Sequence, residues 1–148
     1  MSKRRGTVAV DAYRDMGYLP EALRNYLIRL GWSHGDEEII STEDAIRWFD
    51  IKDVGRAAAR FDQAKLDNVN AHYIREADDA RLLTLVAERL EAQLGRALSE
   101  VERERLLKAM AGLKPRAKTI VQLAEKAWFY VAPRPIQPSP DAAKLLNA

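Results

Sequence analysis

From Ala77 to Tyr130 the apolar residues recur at a helical period and at no other, and this limits the fold of that stretch to packed helices. Leu82, Leu83, Leu85, Val86, Leu90 and Leu94 mark one long helix, and Gly95 ends it. Ser99 and Glu102 stand at the spacing of a capping box, in which two side chains satisfy orphan amides at a helix start. Val101, Leu106, Leu107 and Met110 carry that second helix to about Gly112. Ala117 to Tyr130 reads as a third, with Ile120, Val121, Leu123, Ala124 and Trp128 facing inward. Three amphipathic helices on short connections make a small bundle.

The first half differs. Gly6-Thr7-Val8-Ala9-Val10 is short and β-branched, so it reads as a strand, and Glu38-Ile39-Ile40 reads as a second. Asp11 is placed to cap a helix through Met16, which Gly17 stops. Pro20 suits the first turn of the next helix, where its missing N–H costs nothing. Leu23, Tyr26, Leu27 and Leu30 give that helix a core face, and Gly31 ends it. After a turn at Ser33 to Asp36, Ser41-Thr42-Glu43-Asp44 has capping-box form, followed by apolar Ala45, Ile46 and Phe49. A helix from about Gln63 to Arg75 buries Leu66, Val69 and Tyr73.

Beyond the bundle, Pro133, Pro135, Pro138 and Pro140 fall within eight residues, which excludes a helix interior or central strand and predicts an extended linker. Ser139-Pro140 starts a last short helix, Asp141 to Leu146, with too little apolar face to stand alone. The expected architecture is mainly α: a small α+β unit with two short strands over about 1–75, a helical bundle over 76–131, and a linker with the start of a further unit over 132–148.

Chemistry-bearing residue types are scarce. There is no cysteine, which excludes disulfides and thiolate metal sites, and His34 and His72 are the only imidazoles. Neither has a partner at ligand spacing, so no metal site is expected. Asp36-Glu37-Glu38 and Asp78-Asp79 sit at a turn and a helix start, where capping and the helix dipole favour acids. No nucleophilic triad and no glycine-rich phosphate loop can be assembled. No apolar run approaches a membrane span, and the basic N-terminus lacks a signal peptide's apolar core, so the expected compartment is the cytoplasm.

Charge is informative through its distribution. The net charge is only +2, yet positions 105–124 hold Arg105, Lys108, Lys114, Arg116 and Lys118 with no acid between them. A local positive field on a nearly neutral protein suits a surface that meets phosphates at one place. Trp128, Phe129 and Tyr130 are adjacent, so all three cannot face one core, and one of them is expected at the surface, where an aromatic ring can stack on an unpaired base.

Several segments resemble the glutamyl branch of the class I aminoacyl-tRNA synthetases. Met1-Ser2-Lys3-Arg4-Arg5-Gly6 resembles the end of the Lys-Met-Ser-Lys-Ser-type loop, with the opening lysine gone and Met1 in the next place. Tyr13-Arg14-Asp15-Met16-Gly17-Tyr18-Leu19-Pro20-Glu21-Ala22-Leu23, with Asn25-Tyr26-Leu27 and Leu30-Gly31-Trp32-Ser33, looks like the segment that follows this loop, in order and without a gap. Phe61-Asp62 through Asn70-Ala71-His72-Tyr73-Ile74-Arg75 resembles the helix closing the stem-contact domain, although Asn68-Val69-Asn70 stands where many members have Trp-Leu-Asn. Leu113-Lys114-Pro115-Arg116-Ala117-Lys118-Thr119 is similar to the Arg-x-Lys-Thr segment opening a helix of the anticodon-binding region.

The resemblance implies that 1–75 is a stem-contact domain with a remnant of the phosphate loop, and that 76–131 is an anticodon-binding subdomain. Ser2, Lys3 and Arg4 would belong to the loop that meets the ATP phosphates; Arg105, Lys108, Lys114, Arg116 and Lys118 become candidates for contact with tRNA. It implies a parent reaction, ATP- and magnesium-dependent attachment of glutamate to tRNA, while this chain alone is expected to be inactive and to hold no cofactor, because the nucleotide-binding domain and most of the last anticodon-binding bundle are not in it. The partner is a glutamate-accepting tRNA, with acceptance of glutamine tRNA left open. Two other readings stand beside this one: a stand-alone RNA-binding or regulatory protein derived from a synthetase, and a generic helical interaction domain.

Overall fold

A computed structural model describes residues 10–31, 38–48, 61–133 and 139–146. Helix α1 is Val10–Asp15, α2 Pro20–Gly31, α3 Thr42–Trp48, α4 Gln63–Glu76, α5 Asp79–Leu94, α6 Glu100–Leu113, α7 Ile120–Ala127 and α8 Pro140–Leu146. Short 3-10 turns at Lys114–Arg116 and Trp128–Tyr130 flank α7.

The helix starts follow local chemistry. Asp62, Asp78, Ser99 and Thr119 each sit in extended backbone and accept an amide N–H three residues on. Ser99 and Glu102 form the complete reciprocal box. Gly95 closes α5 in the left-handed region at φ 74°. α7 begins at Ile120 rather than at Ala117, because the Lys118 N–H is taken by the Gln122 side chain and Thr119 becomes the cap.

The expectation of an α+β unit with two short strands is corrected: the described residues contain helices and no strand. The segment at Glu38–Ile40 has a side chain, not a strand, for a neighbour. Buried Asn25 donates to the Glu38 carbonyl at 2.9 Å and accepts the Ile40 N–H at 2.7 Å, so its amide does what a strand edge would have done. Tyr73 donates to the same Asn25 oxygen at 2.7 Å. Of the other expected strand, Val10 opens α1 and the remaining residues lie outside the described ones. Some apolar positions also face outward: Leu27, Ile46, Val101 and Leu107 are exposed, while Phe49 and Trp32 lie outside the described residues.

The largest core is formed by Leu82, Val86 and Leu90 of α5, Leu106 and Met110 of α6, and Ile120 and Leu123 of α7. Leu19 and Ala22 at the start of α2, with Val69 and Ile74 of α4, belong to the same cluster. A smaller cluster of Tyr18, Leu23, Tyr26 and Leu66 joins α2 to α4. The Tyr18 hydroxyl donates to Asp67 at 2.5 Å, and burial with that acceptor pushes its pKa well above the ordinary phenol value.

Between α1 and α2 the chain turns at Gly17, with φ 94°. A Cβ there would lie 2.7 Å from the Val121 nitrogen and 2.8 Å from that of Ile120, so the turn fits against the start of α7 only as glycine. Gly17→Ala is expected to lower unfolding free energy by about 1–3 kcal/mol from the backbone conformation alone, with displacement of α7 adding to it. A urea midpoint equal to that of the parent chain would contradict this packing.

Glu102 supplies a pH-dependent term. Both guanidinium nitrogens of Arg96 reach its carboxylate, at 2.9 and 3.0 Å, and the Ser99 N–H adds a bond at 2.9 Å. Arg96 first, and the Ser99 backbone next, hold its pKa down at about 2 against the usual 4.5. A depressed carboxylate stabilises the fold fully above its unfolded pKa and ceases to do so as pH falls through the folded one. Glu102→Gln should therefore shallow the loss of stability between about pH 4.5 and 2, as read by thermal unfolding across that window.

Candidate nucleic-acid interface

The connection from α6 to α7 alternates between inside and outside. Leu113, Ala117 and Thr119 are buried, whereas Pro115, Arg116 and Lys118 are exposed. Pro115 lies in the first turn of the 3-10 segment, where its fixed φ is suitable and its missing N–H costs nothing. Arg116 and Lys118 are thereby held at the surface, and among the described residues their side chains have no hydrogen-bond or ion-pair partner.

Two clamps hold this connection on α4. At one end, the side chain of Asn70, fully buried, makes three bonds. Its nitrogen donates to the Lys118 carbonyl at 2.7 Å and the Gly17 carbonyl at 3.1 Å, and its oxygen accepts the Leu19 N–H at 2.9 Å. The Ile120 N–H also donates to the Gly17 carbonyl, at 2.9 Å. At the other end, the Lys114 ammonium donates to the Ala77 carbonyl at 3.0 Å and to Asp79 Oδ1 at 2.6 Å.

The five cations picked out in sequence therefore fall into different surroundings. Lys114 is largely covered and paired. Arg105 is exposed and donates to the Tyr130 carbonyl at 3.3 Å, tying α6 to the turn after α7. Lys108 is exposed, with Glu104 of its own helix at 3.5 Å. Among the described residues, Arg116 and Lys118 alone of the five have neither an ion-pair nor a hydrogen-bond partner for the side chain. Ser2, Lys3 and Arg4 lie outside the described residues. Of the adjacent aromatics, Phe129 is 59% exposed, and Trp128 and Tyr130 are half-buried.

The Asp78-Asp79 cluster has structural partners. Asp78 caps α5 and Asp79 pairs with Lys114, while Asp36 and Glu37 lie outside the described residues. No group of three or more His, Asp or Glu side chains that could hold a metal is found among the described residues. None of the described helices is long and apolar enough to cross a membrane. The residues missed in sequence are Gly17 as a packing surface and Asn70 as the clamp. The signal for Asn70 was its place between Leu66 and Ile74 on the inward side of α4, where a polar residue has to find partners.

Known proteins similar to this chain are glutamate–tRNA ligases. Residues 1–68 match the family model described as tRNA synthetases class I (E and Q), catalytic domain. Glutamate–tRNA ligase 2 of Rhodospirillum centenum is 59% identical over 147 residues, which is 99% of this chain and 31% of that protein. Glutamate–tRNA ligase 1 of Sphingopyxis alaskensis is 60% identical over 147 residues, 99% of this chain and 30% of that protein. The crystal structure of a glutamate tRNA ligase from Elizabethkingia meningosepticum, in complex with its amino acid, superposes with a TM-score of 0.68 at 30% identity, over 91% of this chain and 28% of that one. Along nearly its whole length the chain is thus homologous to glutamate–tRNA ligases, which are class I synthetases, and it spans about 31% of the length of the curated relatives it matches.

The two kinds of residue at this interface should separate in stability measurements. Arg116→Ala and Lys118→Ala are expected to change unfolding free energy by no more than about 0.5 kcal/mol, as for exposed positions without partners. Asn70→Leu leaves the Leu19 N–H and the Lys118 carbonyl without this partner, at about 1–3 kcal/mol each, and should be the most damaging of the three. Chemical denaturation of the three variants side by side checks the order.

Proposed function

We propose that this chain is a tRNA-binding segment of a glutamate–tRNA ligase, and that the Arg116–Lys118 turn is a point of contact with the RNA backbone. Homology to glutamate–tRNA ligases over 99% of the chain supports the parentage. The observation that carries the interface is the pair of outward, unpaired cations on a connection whose other side is buried. Phosphate contacts of this kind set register and affinity without reading sequence. A clamped turn loses little freedom when it binds, so more of the contact energy appears as affinity.

On this reading the partner is a glutamate-accepting tRNA. The unit over 1–75 serves stem contact and the bundle over 76–131 lies toward the anticodon stem, with residues 132–148 leading into a further subdomain. Ser2, Lys3 and Arg4 belong to the loop that meets ATP, and ATP with its magnesium is used by the whole ligase rather than held by this chain. The exposed ring of Phe129 is a second candidate for RNA, through stacking on an unpaired base.

The test is a titration of glutamate-accepting tRNA with the 148-residue chain across a salt series. Affinity should fall steeply with salt, and Arg116→Glu should weaken binding and reduce the steepness of log K against log salt by about 1, with its thermal unfolding unchanged. No binding at low ionic strength would overturn the function, and a variant that binds like the parent would remove Arg116 from the interface.

A further inference from the structure

Of the three cations in the 114–118 turn, Lys114 is the one with an ion-pair partner among the described residues. Lys114 opens the 3-10 turn that carries Arg116, and its side chain is only 18% exposed. Two of its three ammonium hydrogens are engaged, by the Ala77 carbonyl and by Asp79 Oδ1. Ala77 is the C-cap of α4 and Asp79 the first residue of α5. The lysine therefore anchors the end of α6 to the corner between α4 and α5. To reach a phosphate it would have to give up both acceptors and leave Asp79 unpaired beside the incoming anion.

We infer that Lys114 is a positioning residue rather than an RNA contact: through Asp79 and the Ala77 carbonyl it holds the 114–118 turn so that Arg116 and Lys118 meet two points on a phosphodiester backbone. The inference rests on the tRNA-binding role proposed above. Its geometric basis is the pair of clamps. Asn70 grips the turn at the Lys118 carbonyl, and Lys114 grips it four residues earlier. The Ala117 N–H closes back on the Lys114 carbonyl at 3.4 Å, so movement at Lys114 is passed to the residues between. With one clamp released the turn pivots on the other, and two cations placed by a fixed backbone no longer share one spacing.

The two roles predict opposite signs for one substitution. Asp79→Ala leaves the α5 cap at Asp78 intact, removes an acid, and moves the net charge from +2 to +3. If Lys114 touched RNA, this variant would free the lysine, remove a repulsive carboxylate and bind more tightly. If Lys114 positions the turn, binding weakens despite the added positive charge. We expect about two- to fivefold weaker affinity for glutamate-accepting tRNA, measured by fluorescence anisotropy at fixed salt.

The titration is run well below the melting transition, where a small loss of stability leaves the chain folded and moves no binding constant. Circular dichroism of each variant verifies this. Lys114→Met should weaken binding to a similar degree, and the double variant Asp79→Ala with Lys114→Met should be no weaker than either single one, as for two groups acting as a unit. Tighter or unchanged binding by Asp79→Ala overturns the inference, as does a full further loss in the double variant. A parent chain that ignores tRNA at low salt overturns the proposed function and this inference together, whereas binding by the parent with either of the first outcomes overturns the inference alone.

Discussion

The buried amide of Asn70 is the interaction on which the rest of the architecture depends. It sits on α4 and bonds to backbone on two other segments: the Gly17–Leu19 elbow before α2 and the Lys118 end of the turn before α7. A backbone carbonyl or amide buried without a partner is costly; Asn70 bonds the Leu19 N–H and the Lys118 carbonyl, and shares the Gly17 carbonyl with the Ile120 N–H at the start of α7. One side chain with both donor and acceptor character thus bonds three backbone groups at once. Asn25 has the same role at a neighbouring position, where it takes the place of a strand for the segment at Glu38–Ile40. The first half of the molecule is organised around two buried asparagines much as a sheet is organised around a ladder.

Much of this was legible in sequence, for identifiable reasons. Helices α2, α5 and α6 were readable because glycine, proline and capping residues mark their ends, as at Pro20, Gly95 and Ser99, and α4 through its helical period alone. The capping box at Ser99 and Glu102 depends on residues three apart, so local pattern was sufficient. The expected strand at Glu38–Ile40 was not there because β-branched character predicts extended backbone and says nothing about who pairs with it. The partner turned out to be a side chain 13 residues away. The start of α7 was misplaced for a similar reason: the Lys118 N–H goes to the Gln122 side chain and the Gln122 N–H to the Thr119 hydroxyl, a reciprocal pair of side-chain bonds that helical period does not reveal.

Charge was legible in amount but not in use. The run from Arg105 to Lys118 contains five cations and no acid, yet its opposing charges come from elsewhere in the chain or from just outside the run. Asp79, 35 residues before Lys114, neutralises that lysine, and Glu104 lies beside Lys108. Counting charge along a sequence therefore overstates the positive surface. Surface ion pairs of the Glu104–Lys108 kind are weak and dissolve readily in favour of a better anion. A covered pair that also bonds a carbonyl, as at Lys114, is far less available.

The principal core has a consequence for how this piece of polypeptide can be taken apart. Leu19 and Ala22 from the beginning of the chain lie in the same apolar cluster as Leu90, Met110 and Leu123. Scission of the peptide bond after Glu76, between the α4 and α5 cylinders, would separate covalently two halves that share one interior. Most of that interior, from Leu82 to Val131, belongs to the second half, and Leu19, Ala22, Val69 and Ile74 of the first close one side of it, so loss of the first half would open that side to water.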